Sequence, residues 1–394
     1  MDCSAQLGSR ALFPTLDCRV YANHASVGPL PLPAIDAMHA VNAGQAQHGV
    51  AAIAGFHEQV DATRTVAGSL LGVPAKNIAL VGNTSTAISC VAASIPWQAG
   101  DAIVCLRGEF PANTTPWQQA AREHGLRIVW LDADDFRTDD GLNRLADALT
   151  AHRVRLVAVS AVQFSTGLRM PVEAMTDIAH RHGAAVFVDA IQAVGATPFD
   201  ASRIDYVATG GQKWLMGPPG TGLLYARDWS TLNPTMAGWL SHEDGLCFLW
   251  GDPGLMDYDR ALQVGPAMVE GGTLNFSGIA GLTASMRLIA SLGVPAVHAH
   301  ANAWFDRLEP ELLELGYRSE RSADPTRRST VMCVQPPAGL HAGRVAAHLF
   351  ARGISVATPD ARIRFSPSWP NALDEPAIVL DALRQTIDPP RPVK

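Results

Sequence analysis

Ala185-Val186-Phe187-Val188-Asp189-Ala190-Ile191-Gln192 decides the architecture. Four apolar residues run without interruption and end on a carboxylate. A strand with one wet face alternates apolar and polar side chains. An unbroken apolar run belongs to a strand covered on both faces, as in a parallel sheet between helical layers. In such sheets ligands bind beyond the carboxyl ends of the strands. Asp189 therefore stands where a charged ligand would offset the cost of burying it. Asp is also a good helix N-cap, and on this stretch alone both readings stand.

The flanks repeat the pattern. Upstream, Pro171–His182 has helical spacing, with Val172, Met175, Ile178 and Ala179 on one face. Pro171 suits the first turn and Gly183 the stop. Further short apolar runs are Ile78–Val81, Ala102–Leu106, Arg127–Leu131, Arg155–Ser160, Asp205–Ala208 and Gly222–Tyr225. With the opening stretch they make seven candidate strands alternating with helical segments. The expected fold is α/β, a seven-stranded, mostly parallel sheet flanked by helices. After Gly281 the pattern changes. Helices are expected at Gly278–Ser291, near Leu308–Leu315, at Arg344–Ala351 and at Glu375–Thr386. Strands are expected near Thr330–Val334, Ile354–Ala357 and Arg362–Phe365. This predicts a large domain over residues 20–275 and a smaller α/β domain from residues 1–19 and 276–394. The tail Pro389-Pro390-Arg391-Pro392 is expected to fray.

The next expected strand leads into Thr209-Gly210-Gly211-Gln212-Lys213-Trp214-Leu215-Met216-Gly217, where Lys213 is the only charged residue. The chain has three lysines: Lys76 in a polar turn, Lys213, and the C-terminal Lys394. An arginine cannot easily release its proton or form a Schiff base; a desolvated lysine does both. Asp189 and Lys213 would face one crevice from neighbouring strand ends. That arrangement suits a pyridine cofactor, whose ring nitrogen the carboxylate keeps protonated and whose aldehyde the lysine holds. Gln192, three residues after Asp189, could reach the same ligand. Gly82-Asn83-Thr84-Ser85-Thr86-Ala87-Ile88 follows a strand and supplies a helix N-terminus and hydroxyls for a phosphate, although alone it reads as a plain capped helix. Phe110 follows another strand and could stack on a ring; alone it reads as core packing.

Gly217-Pro218-Pro219-Gly220-Thr221-Gly222 imitates a nucleotide-binding P-loop, but Leu223 and Leu224 stand where that loop needs Lys and Ser/Thr. The thirteen histidines show no metal-binding spacing. His24 is marked because its segment is polar and rich in turn residues.

The 394 residues are 47% apolar and 17% charged, with net charge −7 and no basic stripe. Nucleic acid and anionic membranes are thus not expected partners. No apolar run is long enough to span a bilayer. The six cysteines are scattered without CxxC, and the N-terminus lacks the pattern of a signal peptide. A cytoplasmic protein without metal is expected.

Several ordered motifs then carry a family resemblance across nearly the whole chain. They are Tyr21-Ala22-Asn23-His24-Ala25 with Gly28-Pro29, Gly82–Thr86, Gly108-Glu109-Phe110-Pro111-Ala112-Asn113, Ser160–Gly167, Val188–Gln192, Gln212-Lys213-Trp214, Glu270-Gly271-Gly272-Thr273-Leu274-Asn275, and Arg364-Phe365-Ser366-Pro367. The chain resembles the class V aminotransferases, a branch of the fold-type I pyridoxal-phosphate enzymes that includes cysteine desulfurases, isopenicillin N epimerase-like proteins and kynureninase. The resemblance implies pyridoxal 5'-phosphate as cofactor and a small amino acid as substrate. It implies that Lys213 forms the Schiff base and moves the α-proton, and that Asp189 pairs with the ring nitrogen. Gln192 and Gln163 would approach the ring's phenolic oxygen, and Phe110 would stack. Thr84, Ser85 and Thr86 would bind phosphate. Thr273 would reach the phosphate of a neighbouring subunit, which implies a homodimer with shared active sites. Arg364 would hold the substrate carboxylate, with Asn23 and His24 as further substrate-binding candidates.

Two departures shape the expectation. Many relatives have His before the lysine and Ser two residues before that. Here Gln212 and Gly210 occupy those positions, so phosphate binding would shift to Gln212 and Thr209. Desulfurases carry a persulfide-forming Cys between Ile354 and Arg364, and Ser355–Ala361 contains none. The expected activity is therefore an aminotransferase, with a β-eliminating C–S lyase or an epimerase as alternatives. A persulfide-relay cysteine desulfurase is not expected. An inactive ligand-binding relative is the non-enzyme alternative, disfavoured by the intact Lys213, Asp189 and Arg364.

Overall fold

The structure, a computed structural model, describes residues 4–52, 54–249 and 256–387. Cys3, Lys394 and the tail expected to fray lie outside the described residues. In chain order the elements are β1 (Val20–Tyr21), α1 (Leu32–His48), α2 (Ala54–Leu71), β2 (Ile78–Val81), α3 (Thr84–Ser94), β3 (Ala102–Arg107), α4 (Thr115–His124), β4 (Arg127–Asp132), α5 (Asp140–Ala151) and β5 (Val154–Ser160). There follow α6 (Val172–Arg181), β6 (Ala185–Asp189), β7 (Tyr206–Gly210), β8 (Gly222–Ala226), α7 (Phe276–Leu292), α8 (Val294–Glu314) and β9 (Arg318–Ser319). The chain closes with β10 (Met332–Gln335), α9 (Ala342–Phe350), β11 (Ile354–Ser355), β12 (Ile363–Phe365) and α10 (Glu375–Ile387).

The seven expected strands form one sheet in the order β2-β8-β7-β6-β5-β3-β4. Strand β8 runs antiparallel to both its neighbours; the remaining pairings are parallel. Val186, Phe187 and Val188 are fully enclosed, on average about 1.5–3 kcal/mol of apolar burial each. Their alternation explains the unbroken run. Val186 and Val188 join a cluster with α6 residues Val172 and Met175, while Phe187 joins the opposite cluster with Trp117 of α4.

A three-stranded antiparallel sheet, β12-β10-β9, has its own cluster with α8, α9 and α10. Val20 and Ala22 belong to that cluster, and β1 pairs with β11. Helix α7 packs on α1 and α2. The helix expected near Leu308 is the end of the longer α8. Its buried face is Val297, Ala301, Trp304, Phe305, Leu308 and Leu312, a helical spacing that small residues and the interior Pro310 obscured. No single helix among the described residues is long and apolar enough to cross a membrane.

Candidate active site

Because β8 alone is reversed, the carboxyl ends of β2, β3, β5, β6 and β7 share one edge of the sheet. Asp189 ends β6 there, 3% exposed, and accepts one hydrogen bond from Ile191 N at 3.0 Å. Beside it in register is Ser160, the last residue of β5. Glu109, in the turn after β3, grips that strand end. Ser160 N donates to Glu109 Oε1 at 2.8 Å, the Ser160 hydroxyl donates to Oε2, and Gln163 Nε2 donates to Oε1 at 2.9 Å. Burial pushes the Asp189 carboxyl up to about 7, against the Ile191 N–H; Glu109 pushes it further up and Lys213 pulls it back. Burial likewise raises the Glu109 carboxyl.

Lys213 follows β7 in a tightly fixed turn. Gly28 N donates to Gln212 O at 2.7 Å, and a Cβ on Gly28 would lie 2.2 Å from Lys213 O, so only glycine permits this approach. Met216 N returns to Lys213 O at 3.0 Å, with the buried Met216 held at φ 48. Such strain persists only where the surroundings impose it. Lys213 Nζ lies 5.8 Å from the centre of the Phe110 ring. Burial lowers the ammonium to about 8; Asp189 opposes the shift and Arg364 adds to it. The free amine, the form that combines with an aldehyde, therefore gains population as pH rises through about 8. Loading of cofactor-free protein with pyridoxal 5'-phosphate is expected to accelerate with pH and level off above that value. Stopped-flow absorbance across a pH series would measure this, and a rate that falls with pH would refute it.

Arg364, on β12, is 5% exposed. Its Nη1 donates to Phe164 O at 3.1 Å and its Nη2 to Ser26 Oγ at 2.7 Å. Its Nε is buried without a partner. Phe164 also meets Phe110 edge to face at 5.3 Å, so Phe110, half-exposed, lies between Phe164 and Lys213. Gln163 Oε1 is buried and unpartnered.

At the start of α3, Asn83 caps the helix by accepting from Thr86 N at 2.8 Å. Ser85 and Thr86 are exposed, whereas the Thr84 hydroxyl is buried without a partner. A Cβ on Gly210 would lie 2.4 Å from Gln212 Oε1 and 3.1 Å from Thr84 Oγ1. The missing side chain thus lets two polar groups from distant segments close in on the backbone. Thr209, buried next to it, donates to Gly210 O at 3.3 Å. These residues fit pyridoxal 5'-phosphate: a helix N-terminus with a spare hydroxyl for the phosphate, a lysine with a lowered pKa for the aldehyde, and a buried carboxylate with a single hydrogen bond for the ring nitrogen.

Other expected site residues make contacts within the chain, while Asn23 Oδ1 and His24 Nε2 stay buried without a partner among the described residues. Gln192 uses both ends of its amide, accepting from Trp214 Nε1 at 2.8 Å and donating to Ala25 O at 3.1 Å. His24 is buried. It is stacked on Trp214, edge-on to Tyr21, with Nδ1 3.1 Å from Ser366 O. Burial lowers its pKa to about 4, so the ring is neutral. Asn23 donates to Ser355 Oγ at 3.3 Å and Val356 O at 3.4 Å. Thr273 is exposed on the rim of a cleft that Gly82 and Thr86 also line. Glu109 and Ser26 were given no role from sequence. Glu109 carries the signal that marked Asp189, a carboxylate just past an apolar strand. Ser26 carries none, because its partner is 338 residues away.

The class-V aminotransferase family matches residues 20–361. The chain is 32% identical over 297 residues to a probable cysteine desulfurase of Methanothermobacter thermautotrophicus, covering 73% of this chain and 70% of the relative. It is similar to the apo structure of a cysteine desulfurase from Thermococcus onnurineus NA1, with TM-score 0.83, 25% identity and 94% of each chain covered. A C-DES mutant with glycine covalently linked to its PLP cofactor shares the fold, with TM-score 0.84, 24% identity, and 95% of this chain and 98% of that one covered.

These likenesses overturn the expected activity: the relatives are cysteine desulfurases, which conflicts both with an aminotransferase and with the exclusion of desulfurase chemistry. The exclusion rested on one thiol missing from one short segment. That is negative evidence about a single step, whereas removal of the α-proton depends on lysine and cofactor. The fold, the cofactor and the motifs agree, and the chain belongs to the class-V aminotransferase family of pyridoxal-phosphate-dependent enzymes.

Proposed function

We propose that the protein cleaves the carbon–sulfur bond of cysteine or a close derivative, as a cysteine desulfurase does. The observation that carries this reading is the 32% identity, over 73% of the chain, to a probable cysteine desulfurase. Bound pyridoxal 5'-phosphate supplies an electron sink for the bond to the α-proton. The chain's own residues do the rest. Arg364 takes the substrate carboxylate; it is a buried guanidinium with no carboxylate partner among the described residues. Lys213, its amine freed by desolvation, takes the α-proton and can return it. Asp189 places a negative charge at the floor of the site, with Glu109 fixing the neighbouring strand end. The Phe110 ring lies beside the lysine, its centre 5.8 Å from Nζ.

Thr84, Ser85, Thr86, Thr209 and Gln212 are the proposed phosphate-binding residues. A homodimer is proposed in which the exposed Thr273 of one subunit completes the phosphate site of the other. A cytoplasmic location is proposed on the five described cysteines, which are all free.

The test is an amino-acid panel offered to cofactor-loaded enzyme in the presence of a thiol reductant. Sulfide release from cysteine or a cysteine-derived disulfide, absent with the other amino acids, is the expected result. A folded, loaded enzyme that frees no sulfur yet converts another amino acid would refute the proposal.

A further inference from the structure

The geometry points to Ser26 as a second hydrogen-bond donor to the substrate carboxylate, acting beside Arg364. The inference rests on the proposed role of Arg364 and adds a residue to it. A guanidinium has five N–H bonds. Two of those on Arg364 are used inside the protein, one by Phe164 O and one by Ser26 Oγ. Three remain, including the buried Nε. Ser26 accepts from Arg364, so its own O–H is still to be donated. Among the described residues no acceptor takes it. An anion seated on the guanidinium lies within reach of that hydroxyl, and a carboxylate oxygen can accept from both groups at once.

The placement of Ser26 is rigid. On its N-terminal side, Ala25 N donates to Ser366 Oγ at 3.2 Å, and Ala25 O accepts from Gln192 at 3.1 Å. On its C-terminal side, Val27 O accepts from the Tyr21 hydroxyl at 2.6 Å, and Gly28 N is tied to Gln212 O. The hydroxyl is therefore fixed before substrate arrives, and little ordering entropy opposes its use. The same short segment reaches the turn that carries Lys213 and the strand that carries Arg364. It sets the distance between the residue that holds the carboxylate and the one that takes the α-proton.

The test compares a matched pair of ligands on cofactor-loaded enzyme: alanine, and ethylamine, which lacks the carboxylate. Dissociation constants are read from the visible band of the bound cofactor. For Ser26→Ala, alanine is expected to bind about ten- to a hundredfold more weakly, the range of a hydrogen bond to a charged group. Ethylamine should bind as to the parent enzyme, and Ser26→Thr, which keeps the hydroxyl, should restore alanine. If Ser26→Ala binds alanine normally while Arg364→Ala does not, Ser26 has no such role. Equal weakening of both ligands would also overturn the proposal, since it reports general disturbance. If neither variant affects alanine, the role of Arg364 itself fails.

Discussion

Replacing Lys213 by alanine is expected to lower turnover by about 10^4-fold and to abolish the visible band of cofactor held at that residue. No other group takes over. Lys76 is exposed in the turn before β2, and the remaining basic side chains of the site and its surroundings are arginines. Lys213→Arg should fail equally, because a guanidinium keeps its proton at every pH the protein tolerates. Lys213 does the opposite: burial lowers its pKa to about 8, so about a tenth is free amine at neutrality and more above it. The variant should remain folded, since the turn is held by backbone contacts of Gly28, Gln212 and Met216 rather than by the lysine side chain. Circular dichroism, absorbance and single-turnover kinetics on one preparation would check this. A variant that kept both band and turnover would remove Lys213 from the mechanism.

Asp189→Asn is expected to cost about 10^2- to 10^3-fold in turnover, the usual loss when one preorganised electrostatic group is removed. Its effect on stability should run the other way. In cofactor-free protein, burial raises the Asp189 carboxyl to about 7. A carboxyl whose folded pKa exceeds its unfolded value favours folding most at low pH. It increasingly opposes folding as pH climbs from the ordinary carboxylate range, and the penalty is complete above about 7. Cofactor-free Asp189→Asn should therefore melt no lower than the parent at pH 8, and its advantage should vanish in acid. Thermal unfolding of both cofactor-free proteins across pH measures this. A variant less stable than the parent at pH 8 would mean that Asp189 holds the fold rather than waiting for a cation. Turnover and stability would thus separate at a single residue, as expected of a site residue that the fold tolerates at a cost.

Much of this site was legible in the sequence because its parts are local. Asp189 stood out as a charge at the end of an unbroken apolar run, and Lys213 as a lone charge in a glycine-rich turn. Glu109 obeys the rule that marks Asp189, but its grip on Ser160 exists only because β3 and β5 lie side by side. The burial of His24 is not legible locally, because the ring it stacks on, Trp214, is far away in sequence. Gln192 follows Asp189 closely in sequence, and only the structure shows that its amide bridges Trp214 and Ala25. The inferred reaction was wrong, because the residues that start the chemistry are shared by several outcomes and one missing thiol does not choose among them.

By itself, the order of apolar runs, helical periods and punctuating glycines determined the sheet, its mostly parallel sense and the edge that gathers Asp189 and the neighbouring strand ends. Those are consequences of burying short segments, and each segment carries its own burial pattern. Only the tertiary structure decided which groups complete the site: Ser26 against Arg364, Gly28 against the carbonyl of Lys213, Gln212 and Thr84 packed against Gly210. Hydrogen bonds and desolvation act over a few ångströms, and no local pattern in a chain records which residue hundreds of positions away will come within that range.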